Sequence, residues 1–151
     1  MIKTEREWNT MKAQLETEDR RLTEQRQILV DAGLNDEQLA AAMAPLISFR
    51  DQLAEEIEFY ERIKGKDFSA LSNFESIGRL LIALRIASGK TQHDLAVALQ
   101  MDDAQLSRYE RDEYYGLTVP KVIQVLKALG YQIKMGVEPL EETHDGGRIS
   151  A

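Results

Sequence analysis

The sequence predicts a mainly α protein, in which an N-terminal antiparallel helical hairpin, coiled-coil-like in its patterning, is followed by a compact block of short helices and one short C-terminal strand. Three observations predict it. Of 151 residues, 43% are apolar and 30% charged, with only three prolines and nine glycines, a balance typical of helical proteins rather than of sandwiches or disordered chains. Apolar residues recur at spacings of three, four and seven through the N-terminal part, the period of an amphipathic helix. Between residues 72 and 118 capping residues recur at short intervals, each able to open a new helix.

From Thr4 to Val30 there is no proline or glycine, and Trp8, Met11, Leu15, Leu22 and Leu29 mark one face of a single long helix. Glu18 and Gln25 take the d-type positions after Met11, which thins the seam to one face of a hairpin rather than an independent zipper. Gly33 supplies the stop, and Asn35 caps a second helical region that runs to Lys64 and ends at Gly65. Its apolar positions are Leu39, Met43, Leu46, Leu53, Ile57 and Tyr60, and Pro45 predicts either a kink or a new start within it. The hairpin therefore spans residues 1–65, with 66–71 as a connector.

A second domain is expected over residues 72–130. Ser72 and Glu75 have capping-box spacing ahead of a helix that buries Ile77, Leu80, Leu81 and Leu84 and stops at Ser88-Gly89. Thr91 and Asp94 repeat that spacing before a short helix carrying Leu95, Ala96 and Leu99. Asp102 can cap the next helix, with Leu106 and Tyr109 inside. Thr118, just ahead of Pro120, starts a last one whose face is Val122, Ile123, Val125, Leu126 and Leu129, ended by Gly130. Beyond it the period changes to two: Tyr131, Ile133 and Met135 alternate with Gln132 and Lys134, the pattern of a strand over 131–137. A lone strand needs a partner, and the same strand of a second subunit is the natural one. The stretch 138–151 is acidic, contains Pro139 and Gly146-Gly147, and is expected to be disordered.

Composition excludes several classes of function. With no cysteine, neither a disulfide framework nor a thiolate metal site can form, and nothing argues for an oxidising compartment. His93 and His144 are too few and too scattered for a zinc site, so no metal or other cofactor is expected. The N-terminal residues lack the apolar core of a signal peptide, and no stretch approaches a membrane span. These features predict a soluble, cytoplasmic protein with no membrane partner. No nucleophile–base constellation or phosphate-binding glycine loop is present, which argues against an enzyme. Glu55, Glu56 and Glu58 read as a solvated helix face. The net charge of −7 is unevenly spread. Residues 1–75 hold ten Lys/Arg against sixteen Asp/Glu, residues 137–151 one against four, and residues 76–136 eight against six. Only the last segment has a positive balance, so its charge permits a nucleic-acid partner.

The run Leu84-Arg85-Ile86-Ala87-Ser88-Gly89-Lys90-Thr91-Gln92-His93-Asp94-Leu95-Ala96, continued by Leu99 and by Leu106-Ser107-Arg108-Tyr109-Glu110, resembles the Cro and lambda-repressor type of helix-turn-helix, the XRE family. The resemblance covers about a third of the chain and implies that two short helices cross closely at Ala96, with Leu95, Leu99 and Leu106 filling the core around it. It implies that the second helix enters the major groove of double-stranded DNA, presenting Asp103, Ala104, Gln105 and Arg108 to base edges. It gives Gln92 a phosphate contact and a bracing role, and makes Arg85 and Glu110 a salt bridge inside the domain. Arg108 is the best base or phosphate ligand and Gln105 the second. His93 reads as a surface or phosphate-adjacent residue.

The chain departs from the family pattern in two places. Gln100 stands where the family has a turn glycine, a position that favours positive φ. Asp102 and Asp103 place carboxylates at the entrance of the groove-facing helix, where they can cap it and complement its dipole, accept from a cytosine amino group, or repel phosphate. The expected function is a sequence-specific transcriptional regulator, a dimeric autorepressor on a palindromic operator. Two alternatives remain: an antitoxin that also neutralises a partner toxin, as the layout of acidic hairpin and helix-turn-helix resembles in some small prokaryotic regulators, or an interaction scaffold without DNA affinity. A homodimer or higher homo-oligomer could be built by the strand at Tyr131, Ile133 and Met135 or by the hairpin, which could instead be a packed cap.

Overall fold

The computed structural model describes residues 1–140. Helix α1 (Glu5–Asp31) is opened by Thr4, whose hydroxyl accepts from the Glu7 N–H, and α2 (Asp36–Lys64) by a full capping box between Asn35 and Gln38. Asp36 and Glu37 in the first turn of α2 and Arg62 and Lys64 in its last turn complement its dipole. Gly33, at φ 83°, turns the chain between the helices. Arg50 meets Asp19 at 2.8 Å and Lys64 meets Glu5 at 3.6 Å. Partners thus advance in opposite directions along the two helices, which lie antiparallel. On α1 the half-buried positions include Trp8, Met11, Leu15, Glu18, Leu22, Gln25 and Leu29, alternating at three and four residues, and no α1 residue is fully buried. On α2 the buried residues are Leu39, Met43, Leu53, Ile57, Tyr60 and Ile63.

Pro45 lies inside α2, which runs on past it as one helix rather than starting anew there. Proline removes one ladder hydrogen bond and leaves the carbonyl of Ala41 without its donor, but both residues are exposed, so water can bond that carbonyl.

After single 3-10 turns at Ser69–Leu71 and Phe74–Ser76, α3 (Ile77–Ala87), α4 (Gln92–Ala98), α5 (Asp103–Arg111) and α6 (Val119–Leu129) complete the fold. The expected capping box of Ser72 and Glu75 does not form. Ser72 closes the first 3-10 turn in the αR region, whereas a cap requires extended backbone. Asn73 takes the role and accepts from the Ser76 N–H at 3.0 Å. Helix α3 is also more deeply placed than a one-faced pattern implies, since Gly78 and every residue from Leu81 to Ile86 are buried while Ile77 and Leu80 are only partly so. It packs against α2 on one side and α6 on the other. One core results, joining Ile2, Ile57, Tyr60 and Ile63 to Leu71, Leu81, Leu84, Leu95, Leu106, Val125 and Leu129.

On α6, Val125, Leu126 and Leu129 are buried, but Ile123, expected on the inner face, is 46% exposed. Gly130 ends the helix at φ 79°, and the Tyr131 N–H returns to the Leu126 carbonyl. The strand expected over 131–137 is not formed: residues 131–140 have no regular secondary structure, and Ile133 and Met135 are exposed. A strand exists only through bonds to a neighbour, and none of the described residues forms one beside it. Of the tail expected to be disordered, residues 138–140 are exposed and irregular, and 141–151, with His144, lie outside the described residues. No helix among the described residues is long and apolar enough to cross a membrane.

Candidate nucleic-acid interface

Helices α4 and α5 are set by their caps and by one small residue. The Thr91 backbone N–H and hydroxyl both donate to the Asp94 carboxylate, at 2.8 and 2.7 Å, and the Asp94 N–H donates back to the Thr91 hydroxyl. The backbone bond first and the hydroxyl bond second hold the Asp94 carboxyl below the usual range for aspartate. Ala96 is fully buried where the helices cross, and Leu95, Leu99 and Leu106 close around it. In the turn between them Gln100 has φ 55°. This left-handed conformation costs a side-chain-bearing residue roughly 1–2 kcal/mol, and is held by bonds from the Gln100 N–H to the Val97 carbonyl and from the Met101 N–H to the Ala96 carbonyl. Asp102 then caps α5, accepting from the Gln105 N–H at 2.8 Å.

The inner end of α5 is fixed by a buried ion pair. Arg85 of α3 and Glu110 of α5, 3% and 0% exposed, meet through two hydrogen bonds, one of them Nη2 to Oε2 at 2.8 Å. Remaining guanidinium protons go to the carbonyls of Lys90 and Lys3, each at 2.9 Å. Gln92, at the start of α4, donates from Nε2 to Glu110 Oε2 at 2.8 Å, and Lys3 Nζ donates to the Glu110 carbonyl. Three separate segments are thereby tied to Glu110. Each is satisfied, which is what makes a buried charge tolerable.

With Leu106 and Glu110 turned inward, Asp103, Ala104, Ser107, Arg108 and Arg111 form an exposed stripe along α5. Arg108 has no ion-pair partner among the described residues. Gln105 is half-buried and donates to the Tyr109 hydroxyl at 3.4 Å. The Asp103 carboxylate is turned toward His93 of α4, with Nδ1 at 2.9 and 3.0 Å from its two oxygens. The four residues that the family resemblance assigns to the groove, Asp103, Ala104, Gln105 and Arg108, thus lie on one helix, and Gln92 sits beside it on Glu110. The resemblance does not single out Ser107 and Arg111, although their i+4 spacing from Asp103 and Ser107 places them on the same stripe. No local signal points to Lys3, which is remote in sequence.

A tight turn follows α5. Glu113 and Tyr114 have φ 49° and 56°, and Gly116 φ 74°. The turn lies directly on Gly78 of α3, where an added Cβ would come within 1.8 Å of the Glu113 carbonyl oxygen. Tyr114 is buried and stacks on Tyr109 with ring centroids 6.2 Å apart, and burial pushes its phenol well above the usual range. Tyr115 projects outward, 94% exposed, beside a shallow cleft of about 320 Å³ that Gln105 and Arg108 also line.

Residues 81–134, from within α3 to just past α6, match the family model described as helix-turn-helix. Neither a curated protein nor a solved structure matches the chain.

Proposed function

We propose that this chain, which carries a helix-turn-helix domain of the XRE type over residues 81–134, is a sequence-specific, dimeric repressor that reads a palindromic operator through α5. The observation that carries the reading is Arg108, an exposed cation without an ion-pair partner among the described residues, on a helix whose opposite face is anchored by a buried charge pair. Its guanidinium can bind guanine bidentately or clamp a phosphate. Ala104 and Gln105 meet neighbouring bases, and Gln92, braced on Glu110, reaches the phosphate backbone. Asp102 and Asp103, the feature most adverse to DNA, are both engaged within the protein, one capping α5 and the other facing His93.

A dimer brings two copies of α5 about one helical turn of DNA, roughly 34 Å, apart. The apolar cleft of about 490 Å³ between α6 and residues 131–135, where Phe74, Val119, Ile123, Ile133 and Met135 line the edge, supports an interface there. Pairing of the 131–137 segments across a two-fold axis would supply the partner that this segment lacks in a single chain. The reading is tested by a mobility-shift titration of the full chain on the region just upstream of its own coding sequence, at about 50 mM and about 200 mM salt. A specific shift that weakens steeply with salt is expected. No shift above a scrambled duplex at the lower salt would leave an interaction scaffold as the better reading.

A further inference from the structure

We propose that His93 is a proton-linked phosphate ligand, oriented by Asp103, so that operator binding takes up a proton and weakens as pH rises. This deepens the DNA-binding reading above and rests on it. His93 is the second residue of α4 and Asp103 the first of α5, so the pair bridges the entrances of both helices on the face that would meet the duplex. Both side chains are exposed, 68% and 62%. With Nδ1 within 3.0 Å of both carboxylate oxygens, the proton must sit on Nδ1 and donate to Asp103, because an unprotonated nitrogen would face an anion lone pair to lone pair. That fixes the ring and turns the second nitrogen, Nε2, into the variable one. Nε2 has no hydrogen-bond partner among the described residues.

In the neutral ring Nε2 is an acceptor and gives a phosphate oxygen nothing. In the imidazolium both nitrogens donate, Nδ1 to Asp103 and Nε2 to phosphate, and the cation lies between two anions. A duplex placed against α4 therefore favours the protonated ring, and by linkage protonation favours the duplex. The surroundings do not oppose this. Asp94 beside His93 on α4 and Glu5 at the start of α1 add negative charge, while Lys90, Lys3 and Lys64 add positive charge around the same cleft. Arg85 and Glu110 are closed into their own pair. The Asp103 carboxylate, adverse to phosphate on its own, becomes the counter-charge that orients and stabilises a phosphate-binding cation.

The test is fluorescence anisotropy of the full chain with a labelled duplex from its own upstream region, at constant ionic strength, from about pH 6 to about pH 8. The native protein is expected to lose affinity severalfold across that range, with a slope no steeper than about tenfold per pH unit for each histidine engaged. His93→Gln, which can still bond Asp103 but cannot take a proton, is expected to bind more weakly at the lower pH and to be flat across the range. Asp103→Asn is expected to lessen the slope while the helical signal in circular dichroism stays unchanged. Native binding that is flat with pH, or a slope that persists in His93→Gln, overturns this inference and leaves the DNA-binding reading standing. Absence of any binding at either pH overturns both.

Discussion

Helices α1 and α3 are both regular, yet α3 has seven of its eleven residues buried and α1 none of its twenty-seven. Helix α3 is flanked by α2 and α6 and carries Arg85 into the domain centre. Helix α1 lies along α2 through half-buried positions, two of which are Glu18 and Gln25. Hydrophobic stabilisation scales with apolar area removed from water, so the two regions contribute very unequally to stability. The block holding α5 is rigid because its core and its charge network close together. The far end of the helix pair is held by a thin seam and by exposed ion pairs such as Arg50 with Asp19, which contribute little in water.

The largest expected effect comes from breaking the network on the rigid side. Glu110→Ala leaves Arg85 buried without its partner and should cost about 3–5 kcal/mol, read as a lower urea midpoint. An unchanged midpoint would mean the pair is not buried as described. Next, Leu106→Ala, at a fully buried site, should cost about 3 kcal/mol. Leu22→Ala on the α1 seam should cost only about 1 kcal/mol. Equal losses for these two would erase the contrast between the regions.

Much of this contrast is legible in the sequence, and the parts that are not have physical reasons. Helix boundaries follow from Thr4, Gly33, Asn35, Thr91, Asp102 and Gly130, because caps act over three or four residues. The pairing of Arg85 with Glu110 follows from the family resemblance, and the structure puts the two in contact. Pro45 does not divide α2, because a helix tolerates proline where the freed carbonyl is wetted, and exposure is a tertiary property. Ser72 misleads because the neighbouring Asn73 competes for the same role. The 131–137 pattern gives alternation without a partner, and pairing depends on a second segment that periodicity cannot provide. Of the candidate interface, the α5 stripe is partly legible through helical spacing. The His93 contact with Asp103 and the Lys3 contact with Glu110 join residues distant in sequence and require the fold.

Two smaller effects concern α4 and the turn that joins it to α5. Gln100→Gly removes left-handed strain but adds unfolded-state entropy, and the net gain should be about 0.5–1 kcal/mol, measured as a raised urea midpoint. A loss would mean the turn is not strained. The smallest effect concerns acid. Asp94 has a folded-state value below its unfolded one, so its contribution is complete above about pH 4 and is lost as pH falls through the depressed value. Asp94→Asn should therefore flatten the acid side of the stability profile slightly while leaving the protein less stable at neutral pH. An identical acid limb in the variant would show that the Thr91 bonds do not act on that carboxylate.

Whether α5 reads DNA through Arg108 is decided by titrating the labelled upstream duplex with native protein and with Arg108→Ala at the same salt. Specific binding by the native chain is expected, with a loss of at least about tenfold in the variant, whose thermal midpoint should be unchanged because the side chain is exposed. Equal affinities for the two proteins would show that α5 does not read DNA through Arg108.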